Sequence, residues 1–581
     1  MHSNRTLVFF CLILLGTQCL QAIETASLRI SFKHLVDSKP LTLDSLRYEK
    51  NDNERYSISR LSYLISELKF ETSEGTWIPV EADTAYIDAG KRIFEMDTAL
   101  VPGSYRAVRF SIGLSEKVNH SDPSQYPGLH PLNPNRNQLH WTWATGYIFL
   151  ALEGRFYDKE QNLNAYVYHF ANDENKTVIN LPLQLTHEVN SLIEIEFDIE
   201  KLLGFPNTLS FHEDGKSTHS HEGDTIAAKL RQNLPAAFQI NNIQQTVTEV
   251  AESMAKPIDL PIKYTPYPFK MSRRFPRPEF PTDNPLIEER IALGETLFFD
   301  PQLSRDKTIS CASCHQSDQA FSDSRILSHG VSDNLTRRHS MPLFNLAWKK
   351  DFFWDGRVPT LREQVFHPIE DPNEMGFTKE ELVARLEGDS KYSELFSAAF
   401  ASGEITQETI GLALENYLLT LVSYKSKFDD AAAGKATLTD QEKRGFELFI
   451  TEYEPRSGRY GADCFHCHGG ALFTDHQFHN NGLPQGEDKG RSEFTLRTAD
   501  DFKFSTPSLR NVSLTAPYMH DGSLETLEDV IRHYNEDIHP SDTLDPNLAK
   551  HPQTGLRLSE TDQQALVAFL KTLADPQYSS D

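Results

Sequence analysis

Ile309-Ser310-Cys311-Ala312-Ser313-Cys314-His315-Gln316 puts two thiols three positions apart, with an imidazole directly after the second. Thiols at this spacing can form thioethers to the two vinyl groups of a haem, and the adjacent histidine is delivered to the iron. A second copy, Cys464-Phe465-His466-Cys467-His468, follows further along the chain. Zinc held by the two cysteine pairs is the competing reading, but zinc spacing does not require a histidine after each pair. Two covalent haems c are therefore expected, anchored on Cys311, Cys314, Cys464 and Cys467, with His315 and His468 as proximal ligands.

The flanks of the two motifs repeat. Asn284 followed by Pro285 can start a helix that runs through Gly294-Glu295-Thr296-Leu297-Phe298 ahead of the first motif. Thr439-x-x-Glu442 is a capping box for a helix containing Gly445-Phe446-Glu447-Leu448-Phe449 ahead of the second. Each half closes on an apolar helical run, at 412–421 and 565–573. Leading helix, haem motif and closing helix, twice over, predict two mainly α-helical c-type cytochrome domains at 284–430 and 431–581.

Residues 26–245 follow a different period. Leu28-Ile30-Phe32, Val108-Phe110-Ile112-Leu114 and Ile193-Ile195-Phe197-Ile199 alternate with polar residues, as in a sheet wet on one face. Ser73-Glu74-Gly75 and Val101-Pro102-Gly103 read as turns between strands. The fold class is thus multidomain, with an N-terminal antiparallel β-sandwich before the two cytochrome domains. Between them, 246–283 is crowded with prolines and lacks periodicity, which reads as a semi-rigid connector.

The first 22 residues have the basic start, short apolar run (7–15) and small-residue end of a secretory signal, with cleavage expected after Ala22. Cys19 offers a lipoprotein anchor as an alternative. Of six cysteines, Cys11 and Cys19 leave with that segment and four belong to the motifs, so no disulfide is expected in the mature chain. An exported, periplasmic protein without a transmembrane helix fits haem attachment outside the cytoplasm. A formal charge of −26 argues against nucleic acid as a partner and is compatible with a basic electron donor.

An iron that only passes electrons needs two strong axial ligands; one that cleaves peroxide needs an open position beside a proton-handling group. Over 284–575 the chain resembles the dihaem cytochrome c peroxidase and MauG family. The resemblance is carried by Phe299-Asp-Pro-Gln-Leu-Ser304, Phe353-Trp-Asp-Gly-Arg357, Glu363-Gln364 through Asn373-Glu374-Met375, Asn481-Gly482-Leu483, Pro507-Ser-Leu-Arg-Asn511 and Thr515-Ala-Pro-Tyr-Met-His-Asp-Gly522. It implies that the first haem is the peroxide site, with Glu374 and Gln364 acting on bound peroxide. Trp354 matches the tryptophan between the haems, and Tyr534 the sixth ligand of the second iron, with Met519 and His533 as nearby competitors. Tyrosine there marks the MauG-like branch, and methionine the peroxidases that oxidise small cytochromes. The family's calcium would be bound by the carbonyls of Thr515 and Pro517, but its asparagine ligand is replaced by His339, a poor calcium ligand. His329 lies where some relatives carry a loop histidine over the first haem.

The aromatic run Leu139-His-Trp-Thr-Trp-Ala-Thr-Gly-Tyr-Ile-Phe149, with Trp141 and Trp143 on one face of a strand, can be read as sandwich core. Together with Ile30-Ser-Phe-Lys-His34, Gly103-Ser-Tyr105, Tyr168-His-Phe170 and His219-Ser-His221, it also resembles the MbnP family of periplasmic copper-binding proteins over about 27–240. That resemblance implies a tryptophan, Trp141 or Trp143, oxidised to kynurenine by a MauG-like (MbnH-like) partner. It also implies a copper site with histidines drawn from His34, His169, His219 and His221, a donor set suited to copper. His140 and His212 are further candidates.

The expectation is an oxidoreductase that uses hydrogen peroxide to reach a high-valent dihaem state and oxidises a tryptophan of its own or a second copy's β domain, making a copper site. The alternatives are a peroxide scavenger fed by a small cytochrome or copper-protein donor, and a copper-binding or storage protein.

Overall fold

The computed structural model describes residues 26–50, 54–141, 146–245, 258–455, 458–552 and 555–579. The expected signal at 1–22, Trp143 and the first part of the connector lie outside them. The β domain has two packed sheets. In one, Ala26–Val36 runs antiparallel to Glu95–Leu100 and parallel to Ser191–Asp198, which pairs in turn with Phe238–Gln245. The other lays Thr177–His187, Gly103–Ile112, Arg60–Thr72, Gly146–Tyr157 and Leu163–Ala171 side by side, antiparallel throughout. Leu28, Ile30, Phe32, Phe110, Ile193, Ile195 and Phe197 fill the space between the sheets, so the alternation read in the sequence marks the inward face. The expectation of purely antiparallel pairing needs correcting at Ala26–Val36. Parallel neighbours require a long crossover, and the five long strands of the second sheet lie between these two strands in sequence and supply it; a second, short parallel pairing joins Leu163–Ala171 to Ser217–Thr218.

The two helical halves each cross their leading and closing helices at a glycine. Glu288–Phe299 meets Gln407–Leu419 where a Cβ on Gly294 would stand 2.0 Å from the carbonyl oxygen of Ala413. Asp440–Ile450 meets Glu560–Lys571 where one on Gly445 would stand 1.9 Å from that of Ala565. The repeated Gly-x-x-Leu-Phe segments are thus two copies of one close helix crossing. The Thr439/Glu442 capping box forms as read. The first leading helix begins later than expected, with Ile287 at its cap, because the Asn284 side chain is used elsewhere. It is fully buried, donating to the Leu412 carbonyl at 3.0 Å and the Glu415 carboxylate at 2.7 Å and accepting from Arg290 at 2.8 Å.

The described part of the proline-rich segment runs along the first cytochrome domain as a strap. Phe275 is fully buried in that domain's core, and Trp348 Nε1 donates to the Pro276 carbonyl at 2.7 Å. The next carbonyl, Arg277, accepts from Asn133 of the β domain at 3.0 Å. The β domain also docks directly on the second cytochrome domain. Arg155 donates to the carbonyls of Ser541 (3.0 Å) and Leu544, and the short helix Pro546–Ala549 packs on strand Leu163–Ala171. Among the described residues no helix is long and apolar enough to cross a membrane.

Candidate functional site

Each motif presents two free thiols and a histidine whose ring is already oriented. His315 Nδ1 donates to the Phe321 carbonyl at 3.0 Å and His468 Nδ1 to that of Phe473 at 3.2 Å, which leaves Nε2 of each as the lone-pair donor. Burial keeps His315 and His468 neutral, the form that binds a metal, lowering the latter to about 4. This donor set fits a covalent haem at both motifs.

Glu374 faces the first motif closely enough for its charge to be felt at both Cys311 and Cys314. Its loop is fixed from behind: Val331 N donates to the Glu374 carbonyl at 2.7 Å, and a Cβ on Gly330 would stand 2.0 Å from the Asn373 carbonyl oxygen. Burial, helped by Asp371 and opposed by Arg357, raises the Glu374 carboxyl to about 7, so both protonation states are populated near neutrality. Gln364 ends the helix Leu361–Gln364 and is half-buried in the same domain. His329 is turned to a hydrogen bond with Asp333, on the loop that backs Glu374.

Trp354 is buried where the two cytochrome domains meet. Its indole N–H donates to the His339 carbonyl at 2.9 Å, and its own carbonyl accepts from Ser505 N of the second domain at 2.7 Å. His339 Nδ1 lies 3.1 Å from both the Arg325 and Ile326 carbonyl oxygens, so this ring supplies an N–H where calcium would need an oxygen. The calcium expected at the Thr515 and Pro517 carbonyls therefore does not fit the residues at this position.

At the second motif, Tyr534 lies close enough to feel Cys464 and Cys467 and is hydrogen-bonded by Asn481. Burial pushes its phenol well up, so only a cation beside it would draw the proton off. Asn481 also holds Met519, with Nδ2 3.2 Å from Sδ, and its carbonyl lies 3.0 Å from His533 Nε2. His533 is therefore committed to the backbone, and Tyr534 and Met519 share one asparagine.

The copper candidates do not all converge. His34 is buried between the sheets, with Nε2 3.0 Å from the Tyr63 hydroxyl, apart from the others. His221 is exposed and meets the Arg459 guanidinium, and His212 packs edge-on to Phe156. His169 and His219 do come together, with ring centroids 5.0 Å apart, and Trp141 stands 6.1 Å from the first and 5.6 Å from the second. The third member of the group was not among the sequence candidates. His466, the spacer residue of the second haem motif, lies 5.5 Å from His169 and 5.2 Å from His219, centroid to centroid. His169 Nε2 is 2.9 Å from the Glu153 carboxylate, which leaves its buried Nδ1 without a partner. His219 Nε2 is also buried and makes no hydrogen bond, although a Glu452 oxygen lies 3.1 Å away. Two buried imidazole nitrogens without a hydrogen bond, one of them on a ring that Glu153 orients from its other side, are a donor set that fits copper.

Around them lies a buried ionic network. Lys550 pairs with Glu452 and, at 3.0 Å, with Asp463; His551 lies 2.7 Å from Asp463, and His466 3.0 Å from Glu452. Burial works against charge on His466, but Glu452 outweighs it and lifts the ring to about 9. Trp141 packs against both the β-domain core and the second cytochrome core. It lines, with His140, His169, Phe465 and His466, a cavity of about 80 Å³.

Two histidine-terminated thiol pairs, each in its own leading-and-closing helix frame, define a dihaem c-type cytochrome with a β domain seated on it. The chain belongs to the dihaem cytochrome c peroxidase family, whose description, di-haem cytochrome c peroxidase, matches residues 288–437, while the MbnP family matches 25–221. It is 38% identical to the methylamine utilization protein MauG of Methylophilus methylotrophus over 309 residues, covering 52% of this chain and 88% of that protein. It is 32% identical to the cytochrome c551 peroxidase of Pseudomonas aeruginosa over 317 residues, covering 52% and 84%. A solved structure of a MauG-like protein associated with microbial copper homeostasis is similar at 34% identity, 54% and 97% coverage and a TM-score of 0.48. The protein is thus a peroxidase-type oxidoreductase with two haems c, acting on peroxide.

Proposed function

We propose that this chain uses hydrogen peroxide to oxidise Trp141 of its own β domain to kynurenine, completing a copper site with His169 and His219 in the periplasm. The observation that carries this reading is the position of Trp141, packed against the core that holds Cys464 and Phe465 and beside the two β-domain histidines. The paired haems supply peroxide reduction and temporary storage of oxidising equivalents. Glu374 would take a proton from peroxide held at the first motif and return it to the departing oxygen, and Gln364 would help hold the peroxide. Trp354 carries oxidising equivalents between the cytochrome domains. Tyr534 would hold the second haem iron through an anionic oxygen, a donor that supports higher oxidation levels than a thioether would.

The reaction balances without a protein electron donor. Insertion of two oxygens into the indole removes four electrons, which two molecules of peroxide accept, giving N-formylkynurenine and two waters overall. Hydrolysis then releases formate and leaves kynurenine. The test is intact-mass and peptide analysis of peroxide-treated holoprotein beside Glu374→Gln. The expected result is modification mapped to Trp141 in wild type and its loss in the variant. Unmodified Trp141 and Trp143 with fast turnover of a reduced small cytochrome would replace this reading with peroxide scavenging. A modified tryptophan with no copper retention would remove the copper role.

A further inference from the structure

We propose that His466, from inside the second haem-attachment motif, joins His169 and His219 as the third ligand of a cuprous ion held between the β domain and the second cytochrome domain. One ring nitrogen of each histidine lies within 4.8 Å of those of the other two, so small ring movements bring all three to one ion. His169 carries the outer partner that a metal-binding imidazole requires, and Glu452 lies against the other two rings. Glu153 orients His169, and a Glu452 oxygen lies 3.1 Å from His219 Nε2 and 3.0 Å from His466 Nε2.

Charge favours a monovalent ion. Glu153, Glu452 and Asp463 bring three carboxylates into this buried region, among Arg60, Lys550 and the His466 ring that pairs with Glu452. A monovalent ion that takes the place of the proton between His466 and Glu452 leaves that balance unchanged.

There is also a way in. His219 and Glu452 form part of the wall of a cleft of about 1510 Å³ whose lining, with Asp158, Asp214, Glu222 and Asp224 against Arg155, Lys216 and Lys550, is more acidic than basic and so favours a cation. An ion so held would lie two residues along the chain from the haem ligand His468, which makes it a third redox centre beside the second haem.

This site deepens the copper reading above but does not need Trp141 to be oxidised, so the test uses holoprotein never exposed to peroxide. Cuprous ion is added and excess removed, bound copper per chain is measured, and affinity is read by competition with a cuprous chelator. Copper K-edge X-ray absorption counts the imidazoles. Expected are one copper per chain with three imidazoles, and in His466→Gln two imidazoles with affinity lower by at least about 10- to 100-fold, the loss typical of outer-shell changes alone. Glu153→Gln, which leaves all three rings in place, should weaken binding while keeping three imidazoles.

Two imidazoles in wild type, or affinity indifferent to His466→Gln, would overturn the proposal, as would binding of zinc but not cuprous ion. The wild-type imidazole count decides even if a variant fails to fold. Trp141 oxidation with a two-imidazole site would leave the proposed function standing without this ligand. A three-imidazole site with Trp141 never modified would do the reverse.

Discussion

Replacing Glu374 by glutamine should gain stability and lose activity, each with its own pH dependence. Burial raises this carboxyl from 4.5 to about 7, and that difference corresponds to at most about 3 kcal/mol by which the folded domain disfavours the charged side chain. The sign follows from the raised folded-state value. The contribution of Glu374 to stability is fully present below pH 4.5, declines as pH rises and is gone above about 7. Glutamine has no charge to bury, so Glu374→Gln should be more stable than wild type at pH 8 by up to about 3 kcal/mol, and little different at pH 4.5. Over the same range its peroxide consumption should fall by about 10²- to 10⁴-fold, the usual size of a general acid–base contribution, and lose any inflection near pH 7. Urea unfolding of holoprotein at both pH values and initial rates of peroxide loss from pH 5 to 9 measure the two effects. A stability gain equal at both pH values, or undiminished turnover, would reduce Glu374 to an ordinary loop acid.

Other expectations are equally direct. Gly445→Ala should destabilise the second cytochrome domain by about 1–3 kcal/mol, and Gly294→Ala the first, because the added methyl meets a backbone carbonyl that cannot move aside; thermal melts followed at the haem bands would reveal it. Tyr534→Met should raise the reduction potential of the second haem in a spectroelectrochemical titration, and an unchanged potential would remove Tyr534 from the iron. Trp354→Phe should leave peroxide consumption at the first haem but suppress modification of Trp141, read by peptide mass analysis. His34→Phe should not alter copper retention, because that ring is bonded to Tyr63 between the sheets, and loss of copper would restore it as a ligand.

What was legible in the sequence was what repeats locally. The motifs, the two Gly-x-x-Leu-Phe helices, the Thr439 cap and the period-two strands are short-range patterns, each tied to one backbone geometry. Asn284 misled because a helix-capping side chain and a buried cross-helix hydrogen-bonding one look alike until the neighbour, Glu415, is known. The prolines of the strap suggested a spacer, yet proline keeps its carbonyl, and Pro276 uses it to satisfy a buried indole. His466 went unread because the two positions between the motif cysteines tolerate any residue. The two histidines beside it are 247 or more positions away, on another domain, and only the docked β domain gives the imidazole a purpose. Glu452 and Lys550 were invisible because their pairing joins positions far apart in the sequence of one domain.

The seating of the β domain on the second cytochrome domain has a kinetic consequence. With the indole delivered by the fold instead of by collision, its oxidation should proceed as a first-order process whose half-time does not change on dilution. Each molecule would complete it once, so peroxide consumed in excess of that single event must leave by another route, and the protein would record in its own covalent structure whether it had ever met an oxidant.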